Sequence, residues 1–305
     1  LAARQQVIVV APNYRVGVFG FFAHPSLRGT GEGNYGLLDQ QAALRWIIAN
    51  VAAFGGDPQR ITLFGESAGA TSVCAQMALP GSQGLFQGAI MQSYTCIFPD
   101  AVTSRDEAEQ AGLRFASKLG CADPATALVC LRALSARKLG RAKSQRRGNG
   151  GANGWSPMSG GDVLPRSPRE IFESGEGARI PVLIGSNHDE GRLFSNALAF
   201  LFVMASRRGY EKSVRNALPE DDARAALAEY AEVARGSYAR AFSAILTDSH
   251  FSCPVLSLHR LLGRSVPVYA YEFDDPHAPS KLPHAPCSPP LGSYHTSELA
   301  YVFQR

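Results

Sequence analysis

A serine held between two glycines is the residue of this chain whose setting best suits it for chemistry. It lies in the segment Gly65-Glu66-Ser67-Ala68-Gly69, which directly follows the apolar run at residues 61–64 and precedes a stretch suited to a helix. A serine at such a strand-to-helix turn is typical of a nucleophile elbow, where the strained turn lifts the hydroxyl above the sheet and the flanking glycines avoid clashes. The helix predicted from Ala68 to about Ala78 would aim the N–H of Ala68 at a developing oxyanion. The pattern therefore predicts acyl transfer, with Ser67 as the nucleophile and Ala68 as one oxyanion donor.

The predicted nucleophile needs two partners elsewhere in the chain. A serine hydroxyl is a poor nucleophile near neutral pH, so a base must take its proton and a carboxylate must hold that base in the right tautomer. In proteins with such an elbow, the carboxylate and then the histidine follow the serine, each on a loop after a strand. Glu190 fits the first position, because residues 185–191 directly follow the apolar run at residues 181–184. The alternative interpretation of Glu190 is an exposed carboxylate in a polar turn.

Several segments around the elbow carry a specific resemblance. They are Asn13-Tyr14-Arg15, Gly33-Asn34-Tyr35-Gly36-Leu37-Leu38-Asp39-Gln40, Ala43-Leu44-Arg45-Trp46, Phe54-Gly55-Gly56-Asp57-Pro58 and Gly84-Leu85-Phe86. Together with the elbow they resemble the type B carboxylesterase family, α/β-hydrolases that include carboxylesterases, cholinesterases and bacterial para-nitrobenzyl esterases. The resemblance extends with interruptions from residue 7 to residue 303 and is densest up to Ser93. It implies a serine ester hydrolase that acts on short to medium carboxylic esters through an acyl-enzyme, without a cofactor or a metal.

The same resemblance assigns roles to a glutamate and a histidine. Residues 185–191 are similar to the family's loop that ends in Asp-Glu-Gly, which makes Glu190 the acid of the triad and Asp189 a neighbour that braces the loop. Residues 292–303 resemble the family's C-terminal histidine motif, with a glutamate three residues after the histidine, which makes His295 the general base. The remaining histidines have plain structural interpretations. The resemblance thus implies a triad of Ser67, His295 and Glu190.

Two positions near the expected site depart from the family pattern. The chain has Tyr94 and Thr296 where the family usually has glycine. Both positions border the expected reaction site, so we expect their bulk to reshape the substrate pocket without removing the triad. Tyr94 and Phe98 are candidates for the acyl side of that pocket. Ordinary core packing is the alternative interpretation of these two aromatic residues.

The family's oxyanion hole also uses a segment that these residues do not include. Two further backbone donors come from a His-Gly-Gly segment in the family, and the 305 residues contain none. We therefore expect an internal piece of a longer esterase, at most faintly active on its own, since each lost donor costs about 10²–10³ in turnover. Two other interpretations are a non-catalytic binding or adhesion protein on a cholinesterase-like scaffold and an inactive product of a truncated esterase gene. The presence of all three candidate triad residues favours the enzyme.

The elements that must position these residues alternate along the chain. Apolar and β-branched runs predict strands at residues 7–10, 61–64, 89–91, 181–184 and 266–271, and apolar residues at helical spacing predict helices at residues 37–49, 106–119, 221–233 and 254–262. Such alternation predicts a mostly parallel central sheet with helices on both faces. We expect one α/β-hydrolase domain over residues 1–305, without the family's N-terminal strands and C-terminal helices. A cluster of prolines at residues 274–292 predicts a long irregular loop.

Composition narrows the classes of partner. The chain is 45% hydrophobic and only 18% charged, with a net charge of +4, and its basic residues are scattered. This excludes the concentrated basic surface that is typical of nucleic-acid binding. No apolar run reaches the 18 or so residues of a membrane span. We therefore expect a small-molecule ester as the ligand, no nucleic acid and no membrane span, and the oligomeric state stays open.

Cysteine usage bears on the compartment. Secreted relatives close a small disulfide loop where this chain has Cys121 and Cys130, so the resemblance implies that bridge and a secreted protein. The alternative is a pair of buried thiols in a reducing cytoplasm. Cys74 and Cys96 are candidates for a second bridge, while Cys253 and Cys287 stay undetermined because connectivity does not follow from sequence.

Overall fold

Four parallel strands form the sheet that carries the site. The computed structural model describes residues 1–98, 101–142, 154–195, 205–280 and 290–303. Its strands are β1 (Thr62–Glu66), β2 (Gly88–Gln92), β3 (Thr103–Ser104), β4 (Met158–Ser159), β5 (Val182–Asn187) and β6 (Val268–Phe273). The central sheet has the order β1-β2-β5-β6 with every neighbouring pair parallel, and β3 pairs with β4 in a separate sheet. The carboxyl ends of the four central strands therefore meet at one edge.

Helices occupy most of the remaining described chain. They are α1 (Ala2–Gln5), α2 (Gly17–Phe21), α3 (Tyr35–Asn50), α4 (Ala68–Ala78), α5 (Arg105–Lys118), α6 (Ala127–Arg132), α7 (Ala136–Arg141), α8 (Pro168–Glu173), α9 (Arg192–Ser195), α10 (Arg207–Ala217), α11 (Glu220–Glu229), α12 (Ala231–Gly236), α13 (Tyr238–Leu246), α14 (Cys253–Leu262) and α15 (Leu299–Val302). A π-helix, Thr247–Ser252, joins α13 to α14. Local sequence sets several of the starts. For example, α5 begins at a reciprocal capping box between Ser104 and Glu107, which satisfies two backbone donors at once. Within the described ranges, no helix is long and apolar enough to cross a membrane.

The main core lies between the central sheet and α4, α8 and α14. Alternate residues of the strands point into it, and Met91, Val182 and Ile184 are almost completely buried there. Helix α4 supplies a matching face that includes Val73 and Met77. Burial of these side chains holds β1 and α4 at a fixed angle to each other, and the turn between β1 and α4 is where Ser67 lies.

A second, smaller core forms among helices that follow the acid candidate. The buried residues Tyr210, Val214, Phe242 and Ile245 of α10 and α13 pack together with Ala223 of α11. This cluster stands beside the central sheet's core as a separate set of contacts. The last helix of this group leads directly into the π-helix and then into α14, which brings the chain back to the sheet.

Most of the expected elements are confirmed, and two differ. The expected helix at residues 221–233 is two helices, α11 and α12, which meet at Tyr230. The expected strand at residues 7–10 is wrong: these residues pair with no described strand, and Val7 and Ile8 are each 45% exposed. A β-branched run satisfies the propensity for a strand, but a strand exists only where a neighbour accepts its hydrogen bonds. In the expected loop, residues 274–280 and 290–292 are irregular, and residues 281–289 lie outside the described residues.

Two disulfides join four of the cysteines. Cys121 is bonded to Cys130 with a Cα–Cα distance of 5.6 Å, which agrees with the expected bridge. Cys74 of α4 is bonded to Cys96 with a Cα–Cα distance of 5.4 Å, so the second candidate pair is also joined. Cys253 is a free, exposed cysteine among the described residues, and Cys287 lies outside them. The bridges tie α6 to the segment after α5, and α4 to the segment after β2.

Removal of the Cys121–Cys130 bridge is expected to lower the free energy of unfolding by about 2–3 kcal/mol, because closure of this short loop restricts the unfolded chain. The measurement is urea unfolding of the double variant C121S/C130S, followed by far-UV circular dichroism. C253S is the matched control, since Cys253 has no partner among the described residues and should unfold at the wild-type midpoint. Equal midpoints for all three proteins would contradict this expectation.

Candidate active site

Ser67 lies at the sharp turn that joins β1 to α4. Its backbone has φ 57° and ψ −117°. Residues other than glycine rarely adopt such a positive φ, which costs of order 1–3 kcal/mol. Neighbouring structure holds it there, because the Ser67 N–H donates to Gln92 O at 2.9 Å and the Ser67 carbonyl accepts from Thr71 N at 3.1 Å. Ala68 is the first residue of α4, so its N–H has no acceptor within the helix. The described residues provide no hydrogen-bond partner for the Ser67 hydroxyl.

The two glycines of the elbow differ in what they do. A Cβ added to Gly65 would lie 2.5 Å from the carbonyl carbon of Gly69, inside the backbone of α4. A Cβ added to Gly69 would meet nothing within 4 Å. The expectation that both positions must lack a side chain therefore holds for Gly65 but not for Gly69, because only Gly65 points from the strand into the helix.

Gly65→Ala is expected to destabilise the fold by about 3 kcal/mol, because α4 must move away from β1 to admit the methyl group. Gly69→Ala is the matched control. It should be neutral or should stabilise by up to about 1 kcal/mol, since alanine is the better helix former and has free space here. Urea unfolding of both variants measures the difference. A Gly65→Ala variant as stable as the wild type would show that the elbow is looser than these distances indicate.

Glu190 and His295 meet directly. Glu190 Oε2 lies 2.6 Å from His295 Nδ1, and the Glu190 side chain is fully buried. The other oxygen, Oε1, accepts from the Asn187 N–H at 2.8 Å. With Nδ1 as the donor to the carboxylate, the neutral imidazole has its free lone pair on Nε2. This is the atom that a base needs to present to a nucleophile.

The second ring nitrogen of His295, Nε2, lies next to Glu66 of the elbow. Nε2 lies 3.1 Å from Glu66 Oε1, although no aligned hydrogen bond joins these two atoms, so the contact is electrostatic. Burial opposes the charged imidazole, but the hydrogen bond to Glu190 and the charge of Glu66 outweigh it and raise the pKa of His295. Burial raises the pKa of Glu66 to about 7, with His295 opposing this shift. Since Glu66 directly precedes Ser67, the structure brings Glu190, His295 and the elbow to one place, without a bond between His295 and the Ser67 hydroxyl.

Glu66→Gln is expected to move the acidic limb of the pH–rate profile to lower pH, because the charge of Glu66 is one cause of the raised pKa of His295 and a base must be unprotonated. The same change should flatten the pH dependence of stability. Because the pKa of Glu66 is raised in the folded protein, Glu66 contributes to the free energy of unfolding below its pKa in the unfolded chain, near 4.5. This contribution is lost as the pH rises through about 7, the pKa of Glu66 in the folded protein. The profile of kcat/KM from pH 5 to 9 and urea unfolding at pH 5 and pH 8 measure both effects. An unchanged acidic limb would exclude Glu66 as a determinant of the pKa of His295.

The acid loop (residues 188–191) and the base loop (residues 292–298) are joined to each other. Asn187, at the end of β5, donates through Nδ2 to Tyr294 O at 2.9 Å and to Glu298 Oε2 at 2.6 Å. Asp189 N donates to Ser293 O at 3.0 Å, and Ser293 N donates to Asp189 Oδ2 at 3.2 Å. Asp189 thus braces the loop, as expected, while Glu190 alone of the two carboxylates contacts His295.

A cluster of aromatic side chains contacts His295. We call this set the aromatic wall: Tyr94, Phe98, Phe194 and Phe251. The ring centroids of Phe194 and Phe251 lie 5.3 and 5.0 Å from that of His295, and Tyr94 packs against Phe251 at 5.7 Å and Phe98 at 5.4 Å. The two pocket candidates therefore belong to the same cluster as the base. Phe251 lies in the π-helix, a type of segment that is frequent at functional sites.

Thr296 has a backbone conformation that favours glycine. Its φ is 78°, which is strained for a β-branched residue. This position is one of the two departures noted in the sequence, and the strain gives a physical reason why glycine suits it. Tyr94, at the other departure, has no such positive φ.

Several site residues were missed by reasoning from sequence. They are Glu66, Asn187, Phe194, Phe251 and Glu298. Three of them lie inside the sequence motifs described above. Glu66 lies in the elbow, Asn187 directly precedes the acid loop, and Glu298 follows His295 by three positions. For Phe194 and Phe251, no local pattern distinguishes a ring that faces the base from a ring in the core.

A parallel sheet whose strand β1 passes through a strained serine into a helix, with a buried Glu–His pair at the same sheet edge, defines an α/β-hydrolase. The family model for the carboxylesterase family matches residues 1–305, so the chain belongs to that family. It is similar to a cocaine esterase of Oryctolagus cuniculus, with 34% identity over 100% of this chain and 57% of that relative. It is also similar to a para-nitrobenzyl esterase of Bacillus subtilis (strain 168), with 34% identity over 99% of this chain and 58% of that relative.

A third similarity is to a secreted protein. A secreted triacylglycerol lipase of Gibberella zeae is 39% identical over 63% of this chain and 34% of its own length. The chain spans little more than half the length of the two esterases above. The family resemblance inferred from the motifs is confirmed.

Proposed function

We propose that this chain carries the catalytic residues of a secreted serine carboxylic ester hydrolase that acts on short to medium esters. The observation that carries the proposal is the 2.6 Å contact between Glu190 and His295, buried beside the strained turn of Ser67. A general base needs a buried carboxylate at Nδ1, because this carboxylate fixes the tautomer and the orientation of the imidazole. A histidine with a purely structural role does not need such a partner. Membership of the carboxylesterase family supports an ester as the substrate, and the aromatic wall supports an apolar acyl group.

Each residue has a defined task in the proposed reaction. Ser67 Oγ attacks the ester carbonyl carbon while His295 Nε2 takes the hydroxyl proton, and the carbonyl oxygen becomes an oxyanion that accepts from Ala68 N–H. Collapse of this intermediate breaks the ester bond, and His295 returns its proton to the departing alkoxide. Water then attacks the acyl-enzyme with His295 again as the base, which releases the acid and restores Ser67. Glu190 stabilises the imidazolium that forms in both steps.

The proposed secretion rests on covalent structure. Two disulfides occur among the described residues, and such bonds persist in oxidising compartments. One of them is the Cys121–Cys130 bridge that the family resemblance implies for a secreted protein, which supports an extracellular location for the enzyme.

Covalent labelling tests the proposed function. A fluorophosphonate probe should modify Ser67 in a longer protein that also contains the family's His-Gly-Gly segment, with one label per chain, identified by peptide mass spectrometry. Ser72→Ala is the matched control, because Ser72 lies on the same helix and its hydroxyl is already bonded to Ala68 O at 3.1 Å. Labelling at another serine would refute the assignment. A folded protein that takes no label would favour the non-catalytic binding protein.

A further inference from the structure

A cavity of about 510 Å³ lies away from the proposed catalytic residues. Helices α2, α3, α5, α6 and α7 contribute to its lining. The elbow, the acid loop, the base loop and the aromatic wall contribute no residue to it. The volume falls within the range of about 300–1,000 Å³ that is typical of small-molecule sites. The cavity is therefore large enough for a ligand of its own.

The interior of the cavity is apolar. Its walls include Val18, Phe22, Leu27, Phe115, Leu128 and Leu131. The rings of Phe22 and Phe115 pack against each other at 5.9 Å and are almost completely buried, so this wall is held in place by the core. Such walls can contact an unbranched alkyl chain along its whole length, and they present few hydrogen-bonding groups.

Two arginines line the cavity, and one of them has a carboxylate partner. Among the residues that the structure describes, Arg15 and Arg132 are the charged ones that line it, and no carboxylate does. Arg15 is already occupied, because its Nε and a terminal nitrogen hold both oxygens of Asp39 at 2.8 and 2.7 Å. Arg132 is exposed and forms no ion pair with any described residue. Arg132 is thus the cation that remains available to a ligand.

The neighbouring helix also carries basic residues. Helix α7, whose Leu139 also lines the cavity, carries Arg137, Lys138 and Arg141, and none of these forms an ion pair within the described part of the chain. The charge of Arg132 at the lining attracts anions and repels cations. We infer that the cavity is a second ligand site that takes a single-chain aliphatic carboxylate, with the chain inside the cavity and the carboxylate on Arg132.

The disulfide Cys121–Cys130 supports the geometry of this site. Leu128, Leu131 and Arg132 all lie on α6, and Cys130 of that helix is bonded to Cys121, three residues after α5. One short helix therefore provides both the chain contacts and the cation, and a covalent bond holds this helix in place. The inference does not depend on the proposed ester hydrolysis, since no residue of the triad takes part in it.

Calorimetric titration of the purified protein tests the inference. Decanoate should bind with one site per chain and about 200-fold more tightly than hexanoate, because each of the four added methylenes contributes roughly fourfold. Decanol and decyltrimethylammonium carry the same chain without the anion, and each should bind at least tenfold more weakly than decanoate. Equal affinity for decanoate and decyltrimethylammonium would overturn the role of the charge.

Variants locate the ligand. Arg132→Gln should weaken decanoate binding at least tenfold and leave decanol binding unchanged, whereas Arg60→Gln, the matched control at another exposed arginine, should change neither. Val18→Phe should fill the cavity and abolish binding of both ligands, and Leu139→Phe serves the same purpose if the first variant does not fold by circular dichroism. Protein labelled at its active serine by a fluorophosphonate should still bind decanoate. Loss of binding on labelling, or full binding by Arg132→Gln, would overturn the proposal.

Discussion

Ser67→Ala, in a longer protein that also contains the family's His-Gly-Gly segment, is expected to lower kcat/KM for para-nitrophenyl acetate by about 10⁴-fold or more, because the acyl-enzyme forms on the Ser67 hydroxyl. The substitution removes one oxygen at a turn that is already strained for a side chain, and the hydroxyl makes no hydrogen bond with the described residues, so the fold should be unaffected. The measurement is the initial rate over a range of substrate concentrations, with far-UV circular dichroism as the test of folding.

Ser72→Ala serves as the control for this loss. Ser72 lies on the same helix, and among the described residues its hydroxyl bonds to Ala68 O, so its loss should change kcat/KM by less than about twofold. A Ser67→Ala variant that keeps most of the wild-type rate would move the nucleophile elsewhere and remove the basis of the proposed mechanism.

Glu190→Gln is expected to lower kcat by about 10⁴-fold with little change in stability, because an amide can no longer fix the tautomer of His295 or stabilise its cation. The side chain is fully buried, and glutamine has the same shape and keeps an oxygen for the Asn187 N–H. Stopped-flow measurement of acylation isolates the step in which the imidazolium first forms.

Asp189→Asn is the matched control for the acid. Asp189 pairs with Arg192 at 2.8 Å and accepts from Ser293 N, and an asparagine oxygen can still accept that bond. We therefore expect a milder loss, of roughly tenfold or less, from a looser brace between the two loops. A larger loss from Asp189→Asn than from Glu190→Gln would assign the acid to Asp189.

The sequence predicts those parts of the site that local motifs encode. Gly65 and Ser67 are recognisable because a strained turn between strand and helix restricts the residue types on both sides. The four strands of the central sheet are recognisable because both of their faces carry apolar residues. Tyr230 marks the limit of such reasoning, since helical spacing continues through the point where α11 ends and α12 begins.

Other features depend on contacts between distant parts of the chain. The run at residues 7–10 has the composition of a strand, yet pairing decides whether a strand forms, and pairing is not encoded locally. Phe251 contacts His295 because it lies in the π-helix that follows α13. The sequence indicates a helix there but not this change from α-helix to π-helix. The cavity beside Arg132 likewise arises where five helices meet, and no segment alone predicts it.

The bonds that assemble the site bear on the order in which the chain folds. Glu190 and His295 are separated by 105 positions, Asn187 and Glu298 by 111, and Gln92 and Glu298 by 206. Closure of loops this long costs chain entropy before any contact offsets it, so such contacts form slowly compared with the turns of a helix. A refolding chain therefore gains its helices well before its Glu–His pair, and a population that looks largely native by circular dichroism can still be without a general base.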